Sequence, residues 1–260
     1  MENMNMLSKR GKACSLATSL YLLVFTAPSV AGEQWETSVG AGAIYAPDYL
    51  GSDDYETRPW PVLRLSYGDR FYFNVRDGLV WNAIRQGSWQ ISPFIGYTPG
   101  RDNEDDLERL EKVDGGALAG LRIAYTKDAW SYSATAQTPF TGDVDGYQLA
   151  LKAQWEDRLS EQWSASFGPK LTYSSEDWTE DMFGISPGES VRSGLRAYSP
   201  DGYFRFGLTG SLGYQLTEQW SVAAIAGVSQ LTGDAKDSPI VDELGDATQA
   251  YTGLFTSYSF

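Results

Sequence analysis

The chain alternates. From Trp35 to Tyr45, Trp35, Thr37, Val39, Ala41, Ala43 and Tyr45 are interleaved with Glu36, Ser38, Gly40 and Gly42, and a period of two specifies a strand. The same period returns from Pro59 to Tyr67, Trp89 to Tyr97, Ala117 to Tyr125, Trp130 to Ala136, Tyr147 to Trp155, Trp163 to Tyr173, Phe204 to Leu216, Trp220 to Val228 and Ala247 to Phe260. Two shorter alternations, Phe71 to Val75 and Leu79 to Ala83, flank a tight turn at Arg76-Asp77-Gly78. Counting that hairpin as two strands predicts twelve strands in all; read as one irregular segment, it leaves ten.

The connections alternate as well. Short turns (Gly68-Asp69, Gln86-Gly87-Ser88, Lys127-Asp128) exchange with long loops at Ala46–Thr57, Arg101–Asp114, Thr141–Gly146, Ser175–Ser199 and Thr232–Asp246. A transmembrane β-barrel has this asymmetry, with turns on the periplasmic side and loops outside. The last strand ends on Phe260 with Tyr258 two residues before it. A terminal strand that pairs with the first removes the sheet edge, which lipid requires. Trp35, Trp89, Trp130, Trp163 and Trp220 each open an outgoing strand, as a girdle at the inner interface would. The expected fold is all-β: a transmembrane antiparallel up-and-down barrel. Pro59 and Pro61 are awkward in a central strand and place the start of theirs at a sheet rim.

The N-terminus sets the compartment. Lys9, Arg10 and Lys12 precede a largely apolar run from Ala13 to Ala27, and Ser29-Val30-Ala31 is a small-residue cleavage site. Residues 1–31 therefore read as a secretory signal peptide and 32–260 as the barrel. The only cysteine, Cys14, leaves with the signal. Histidine is absent, which removes Ser-His-Asp and Cys-His catalysis and the usual zinc sites. No carboxylate pair stands out, and no cofactor, metal site or enzymatic activity is expected. The net charge of −14 disfavours nucleic acid; outer-membrane lipid is the expected surrounding. The acidic loop from Arg101 to Asp114 lacks the spacing of an EF-hand and reads as solvated, with one helical turn at Leu107–Lys112. The face opposite the lipid carries Arg64, Arg122, Lys152, Lys170 and Arg205. Such residues commonly pair with luminal carboxylates; a basic lumen that favours anions is the other outcome.

Three groups of residues are candidates for function. The first comprises Pro47, Asp48, Tyr49, Gly51 and Ser52 in the first loop and Gly233, Asp234, Ala235, Asp237, Ser238 and Pro239 in the last. Their aspartates also suit ordinary turn chemistry. The second is a repeated turn: Leu159-Ser160-Glu161-Gln162-Trp163-Ser164 is echoed by Leu216-Thr217-Glu218-Gln219-Trp220-Ser221. Glu161, Gln162, Trp163, Glu218, Gln219 and Trp220 are candidate contacts at the periplasmic rim. The third is the closing pair Tyr258 and Phe260.

The first strand with Gly40-Ala41-Gly42, the run Tyr45-Ala46-Pro47-Asp48-Tyr49 with Gly51-Ser52, Pro59 and Pro61, the segment Gly233–Val241 and the terminal Tyr258-Ser259-Phe260 resemble the MltA-interacting protein (MipA/OmpV) family over essentially the whole exported chain. The segment Ala197-Tyr198 with Pro200-Asp201-Gly202 is similar to it too. The resemblance implies a non-enzymatic outer-membrane barrel that acts as a scaffold for a murein hydrolase and a murein synthase. A porin-like channel for small solutes, and a surface adhesin or stress-response barrel acting through its acidic loops, are the alternatives. The sequence leaves the oligomeric state open.

Overall fold

A computed structural model describes residues 35–260; the expected signal segment lies outside the described residues. The strands are β1 (Trp35–Pro47), β2 (Tyr55–Tyr67), β3 (Phe71–Asn74), β4 (Gly78–Trp81), β5 (Ile84–Gln86), β6 (Trp89–Thr98), β7 (Gly116–Lys127), β8 (Trp130–Pro139), β9 (Gln148–Arg158), β10 (Trp163–Ser174), β11 (Tyr203–Gln215), β12 (Trp220–Leu231) and β13 (Thr248–Ser259). Each pairs antiparallel with its neighbours. β4 and β5 are two pieces of one stave, both laid along β6, so the closed barrel has twelve staves. The hairpin from Phe71 therefore counts as two strands, but β3 and β4 are only four residues each and do not span.

Closure is made by β1 and β13, in register from Ser38 opposite Ser259 to Tyr45 opposite Thr252. The Phe260 N–H donates to the Thr37 carbonyl at 3.0 Å. The glycines of β1 have a specific reason here. A Cβ at Gly40 would stand 2.0 Å from the Thr256 carbonyl oxygen, so only glycine lets the two strands meet at the seam.

The burial pattern is inverted relative to a soluble protein. Leu121, Leu149, Leu151, Phe206, Leu208 and Leu254 lie on the outer face and are exposed, Leu254 at 65 %. Ser66, Ser92, Gln148, Thr172 and Gln249 point inward and are buried. An apolar band outside and a polar interior is the barrel solution to lipid. The tryptophans that open β1, β6, β10 and β12 are exposed and pack in tilted or edge-on geometry against cross-strand tyrosines: Trp35 on Tyr67, Trp89 on Tyr125, Trp163 on Tyr214 and Trp220 on Tyr258, with centroids 4.7–5.2 Å apart. These pairs form the interfacial girdle. Trp130, which opens β8, packs instead on Tyr132 and Phe167.

The short hairpin leaves a notch. β3 pairs with β2 only from Arg64 to Tyr67, and β4 reaches β6 only at Phe94 and Ile95. Above these pairs, β2 from Tyr55 to Leu63 is hydrogen-bonded to β1 on one side and, among the described residues, to no strand on the other. The prolines fit this edge. Alternate residues of a strand direct their backbone groups to the same neighbour. The Tyr67 carbonyl accepts from Arg70 N–H in the β2–β3 turn, which sets the odd positions toward β3. Pro59 and Pro61 thus face the notch and present no N–H there.

Candidate functional site

The long loops build a roof. α1 (Glu176–Phe183), α2 (Pro187–Ser193), α3 (Gly233–Asp237), α4 (Pro239–Asp242) and a 3₁₀ turn at Asp105–Leu107 lie in them. One buried cluster joins Val113, Val144, Trp178, Met182, Phe183, Ala235 and Val241 to Tyr203 of β11 and Leu231 of β12. A second joins Leu107, Leu110, Ile185 and Ile240. The Arg101–Asp114 loop is therefore not simply solvated: Leu107 and Leu110 are 1 % and 3 % exposed. Its helical turn lies at Asp105–Leu107 instead of Leu107–Lys112, because Leu107 must turn inward onto the cluster.

The first-loop and last-loop residues meet in this roof. The Gly51 N–H donates to Gln249 Oε1 (3.1 Å), Gln249 Nε2 donates to the Ser52 carbonyl (3.0 Å), and Asp246 N–H donates to the Gly51 carbonyl (2.9 Å). Ser52 bridges to Gly245. The Tyr49 hydroxyl donates to the Leu244 carbonyl at 3.4 Å, and burial pushes its pKa up to about 12. Asp48, which follows Pro47 at the end of β1, pairs with Arg58. In the last loop, which begins at Gly233, Asp234 Oδ2 accepts from Asp201 N–H (2.7 Å), and its carbonyl accepts from the Tyr198 hydroxyl (3.0 Å). The Asp237 carbonyl accepts from Arg196 (3.4 Å). Ser238 Oγ donates to the Phe183 carbonyl (2.7 Å) and accepts from Ile240 N–H, while Pro239 opens α4. These contacts tie three loops together.

Glu189 is a residue that sequence reasoning missed. Its carboxylate accepts from Ser186 N–H (2.8 Å), Ser186 Oγ (2.7 Å) and, across to another loop, Glu111 N–H (2.9 Å). Ser186 and Glu189 form a capping box on α2, a Ser-x-x-Glu signal present in the sequence. Arg101 is its electrostatic neighbour. Arg101 is 3 % exposed, and among the described residues its Nε and Nη1 have no hydrogen-bond partner.

Under the roof lies a chamber of about 1600 Å³, continued toward the periplasm by a smaller cavity of about 270 Å³. Arg76, Thr209 and Ile225 line both. Most of the luminal cations make no direct ion pair among the described residues. Arg122 pairs with Asp77 (3.3 Å), but among the described residues Arg64, Arg76, Lys152, Lys170 and Arg205 have no carboxylate within ion-pair distance. The described residues hold no group of three or more His, Cys, Asp or Glu disposed to bind a metal ion.

At the opposite end the two echoed turns have one geometry. Ser160 Oγ accepts from Gln162 and Trp163 N–H; Thr217 Oγ1 accepts from Gln219 and Trp220 N–H. The turns sit side by side, because Gln215 N–H donates to the Gln162 carbonyl and the Tyr214 hydroxyl donates to Gln162 Oε1. The Ser259 N–H donates to the Gln219 carbonyl, which joins the second turn to the barrel seam, where Tyr258 packs on Phe260. Glu161 and Glu218 are exposed, and so are Leu159 (60 %) and Leu216 (51 %).

A closed twelve-stave barrel with an apolar outer face and an aromatic girdle is an outer-membrane β-barrel. The family model described as "MltA-interacting protein MipA" matches residues 39–260, and the chain belongs to that family. It is 28 % identical over 252 residues to the MltA-interacting protein of Escherichia coli (strain K12), covering 92 % of this chain and 95 % of that protein. It is 28 % identical over 233 residues to the putative outer membrane protein YiaT of the same strain, covering 86 % and 91 %. These relatives are named for an interaction or a location and not for a reaction. Similar solved structures include the NanC porin (TM-score 0.45, 8 % identity, 85 % of this chain and 98 % of that one) and the COG4313 outer-membrane channel of Pseudomonas putida F1 (TM-score 0.44, 12 % identity, 89 % and 97 %).

Proposed function

We propose that this barrel is a non-enzymatic docking platform for a murein-remodelling enzyme, with the periplasmic rim as the contact surface. The reading is supported by the family to which the chain belongs and by the printed name of its relative in Escherichia coli. The observation that carries it to particular residues is the pair of adjacent, matching turns. A specific interface buries about 800 Å² per partner, more than one tight turn offers. Two turns fixed side by side, each with an exposed leucine and glutamate next to a girdle tryptophan, offer a larger surface already in its bound shape. The leucines supply apolar area and the glutamates select a partner with basic groups.

The test is retention. The affinity-tagged barrel is solubilised from native envelopes, the murein is digested, and the bound fraction is assayed for murein hydrolase activity on a zymogram. Hydrolase activity is expected with the native barrel and is expected to fall with Glu161→Lys/Glu218→Lys, which reverses the rim charge without touching the roof. Absence of hydrolase from the native barrel, or equal retention by the reversed rim, would overturn the reading.

A further inference from the structure

The chamber has an acidic mouth, lined by loop carboxylates such as Asp48, Asp102 and Asp105, and below it two unlike walls. Ile44 of β1, Trp60 of β2, Ile225 of β12 and Tyr251 and Phe255 of β13 line one side. Lys170 of β10, Arg205 of β11 and Arg76 of the β3–β4 turn line the other, and Lys152 follows in the cavity below. The aromatic wall is fixed. The Phe255 ring lies where Gly42 and Gly253 would carry side chains, with Cβ positions 2.3 and 2.8 Å from its ring atoms. The Tyr251 ring covers Gly227 in the same way, and its hydroxyl is bonded to Thr209 Oγ1 at 2.9 Å. Both rings are pressed flat against the staves, so the space in front of them stays open.

The cationic wall is unlike an ordinary luminal network. Lys170 feels Arg205, Arg76, Lys152 and Arg122 together; among the described residues only Arg122 makes a direct ion pair, while Asp77 acts on Arg76 and Lys152, and Glu156 on Lys152, from farther off. Like charges gathered on one wall repel one another and contribute nothing to folding, whereas an anion in the chamber would satisfy several at once. The roof lies above, and the notch beside β2 opens sideways: Arg58 and Trp60 of β2 and Tyr97 and Thr98 of β6, the two edges of the notch, all line the chamber.

We propose that the chamber binds an amphiphilic carboxylate, a single anionic head on an acyl chain, with the head at Lys170, Arg205 and Arg76 and the chain along Trp60 and Phe255, reaching the notch and the outer leaflet. A small inorganic anion would leave the aromatic wall unused. A neutral lipid would leave the cations unpaired.

The barrel is reconstituted in nanodiscs and titrated with decanoate by calorimetry, with empty nanodiscs as the baseline for partition into lipid. Saturable binding above that baseline is expected. Acetate and decyltrimethylammonium, which keep only the head or only the chain, are expected not to displace decanoate from the native barrel. Lys170→Gln/Arg205→Gln and Trp60→Ala are each expected to weaken binding about tenfold or more, and Lys127→Gln, a cation at the end of β7 and outside the chamber, is expected to leave it unchanged. Heat-modifiable migration verifies that each variant is folded. The proposal fails if native binding is not saturable, if the cationic amphiphile or acetate competes as well as decanoate, or if the folded double variant binds like the native barrel. The competition arms use the native protein and decide the matter even if the double variant does not fold.

Discussion

Glu189→Ala should loosen the roof and leave the barrel intact. Glu189 is 7 % exposed and accepts three hydrogen bonds, two from Ser186 and one from Glu111. Hydrogen bonds to a buried charge contribute about 1.5–3 kcal/mol each, and a helix cap about 1 kcal/mol. Water replaces part of what is lost at Ser186, but little reaches Arg101, whose nearby countercharge also disappears. A net cost of about 2–4 kcal/mol follows, confined to α2 and the loop holding Leu107 and Leu110. Hydrogen exchange is the assay. Amides of residues 186–200 and 105–113 are expected to exchange roughly 30-fold to several hundredfold faster, with β9–β12 as the unchanged internal reference. Glu189→Gln, which keeps an acceptor and removes the charge, should give about half the effect. The pH dependence has a definite sign. Burial pushes the Glu189 carboxyl up, but the Glu111 N–H, the Ser186 hydroxyl and N–H, and the Arg101 charge outweigh it and hold the pKa below the ordinary glutamate value. The folded pKa lies below the unfolded one, so the contribution is complete above the unfolded pKa and is lost as pH falls through the folded pKa. The native-minus-Gln difference should vanish in that acid range. Equal acceleration of strand and roof amides, or no acceleration in the roof, would refute the reasoning.

Two further outcomes follow from the backbone. Gly51 has φ +107°, and a Cβ there would stand 2.7 Å from Val241 Cγ2; Gly51→Ala should cost about 1–3 kcal/mol, read as faster protease cleavage in residues 175–199 with an unchanged barrel core. Pro61→Ala would place an N–H on the unpaired edge of β2. It should lower stability in urea by about 1–3 kcal/mol, and unchanged stability would mean that the notch is paired or wet at that depth.

The barrel was legible because its signal is local and repeated. Alternation, turn residues and the tryptophans that open outgoing strands all read within ten residues of one another, and the wall pairs in the order they imply. Pro59 and Pro61 lie inside β2 and not at its start, but on its free edge, so the physical rule that keeps proline out of a two-sided ladder held while the predicted strand boundary did not. The roof was not legible because it has no period and its contacts join loops far apart in the chain. Ile240 packs with Leu107 and Ile185, and Val241 with Val144 and Phe183. A signal existed, since Trp178, Met182, Phe183 and Ile185 are too apolar for a solvated loop. Naming the partners still required the closed barrel that brings five loops to one mouth. The cations of the lumen were identified by their face, but whether carboxylates neutralise them depends on inter-strand register, which a single strand does not encode.

The notch, the chamber and the short hairpin share one cause. A full-length β3–β4 hairpin would pair β2 along its whole edge and close the wall. The chain instead turns back at Arg76, where Asn74 Oδ1 accepts from Arg76 and Asp77 N–H at 3.0 and 2.7 Å. Asp77 then reaches Arg122 on β7, which anchors the turn against the luminal face of the strand beside β6. The same turn therefore opens the side of the barrel, places the Arg76 charge at the junction of the two cavities and supplies Asp77, which among the described residues makes the direct ion pair with a cation of that cluster. Lengthening the hairpin by evolution or design would remove the opening and the charge together. A barrel whose lumen were only structural filling would gain stability from that change, since it would pair an exposed edge. The short turn, the two prolines that blunt the edge and the cationic wall are mutually consistent features of a barrel built with access from the side.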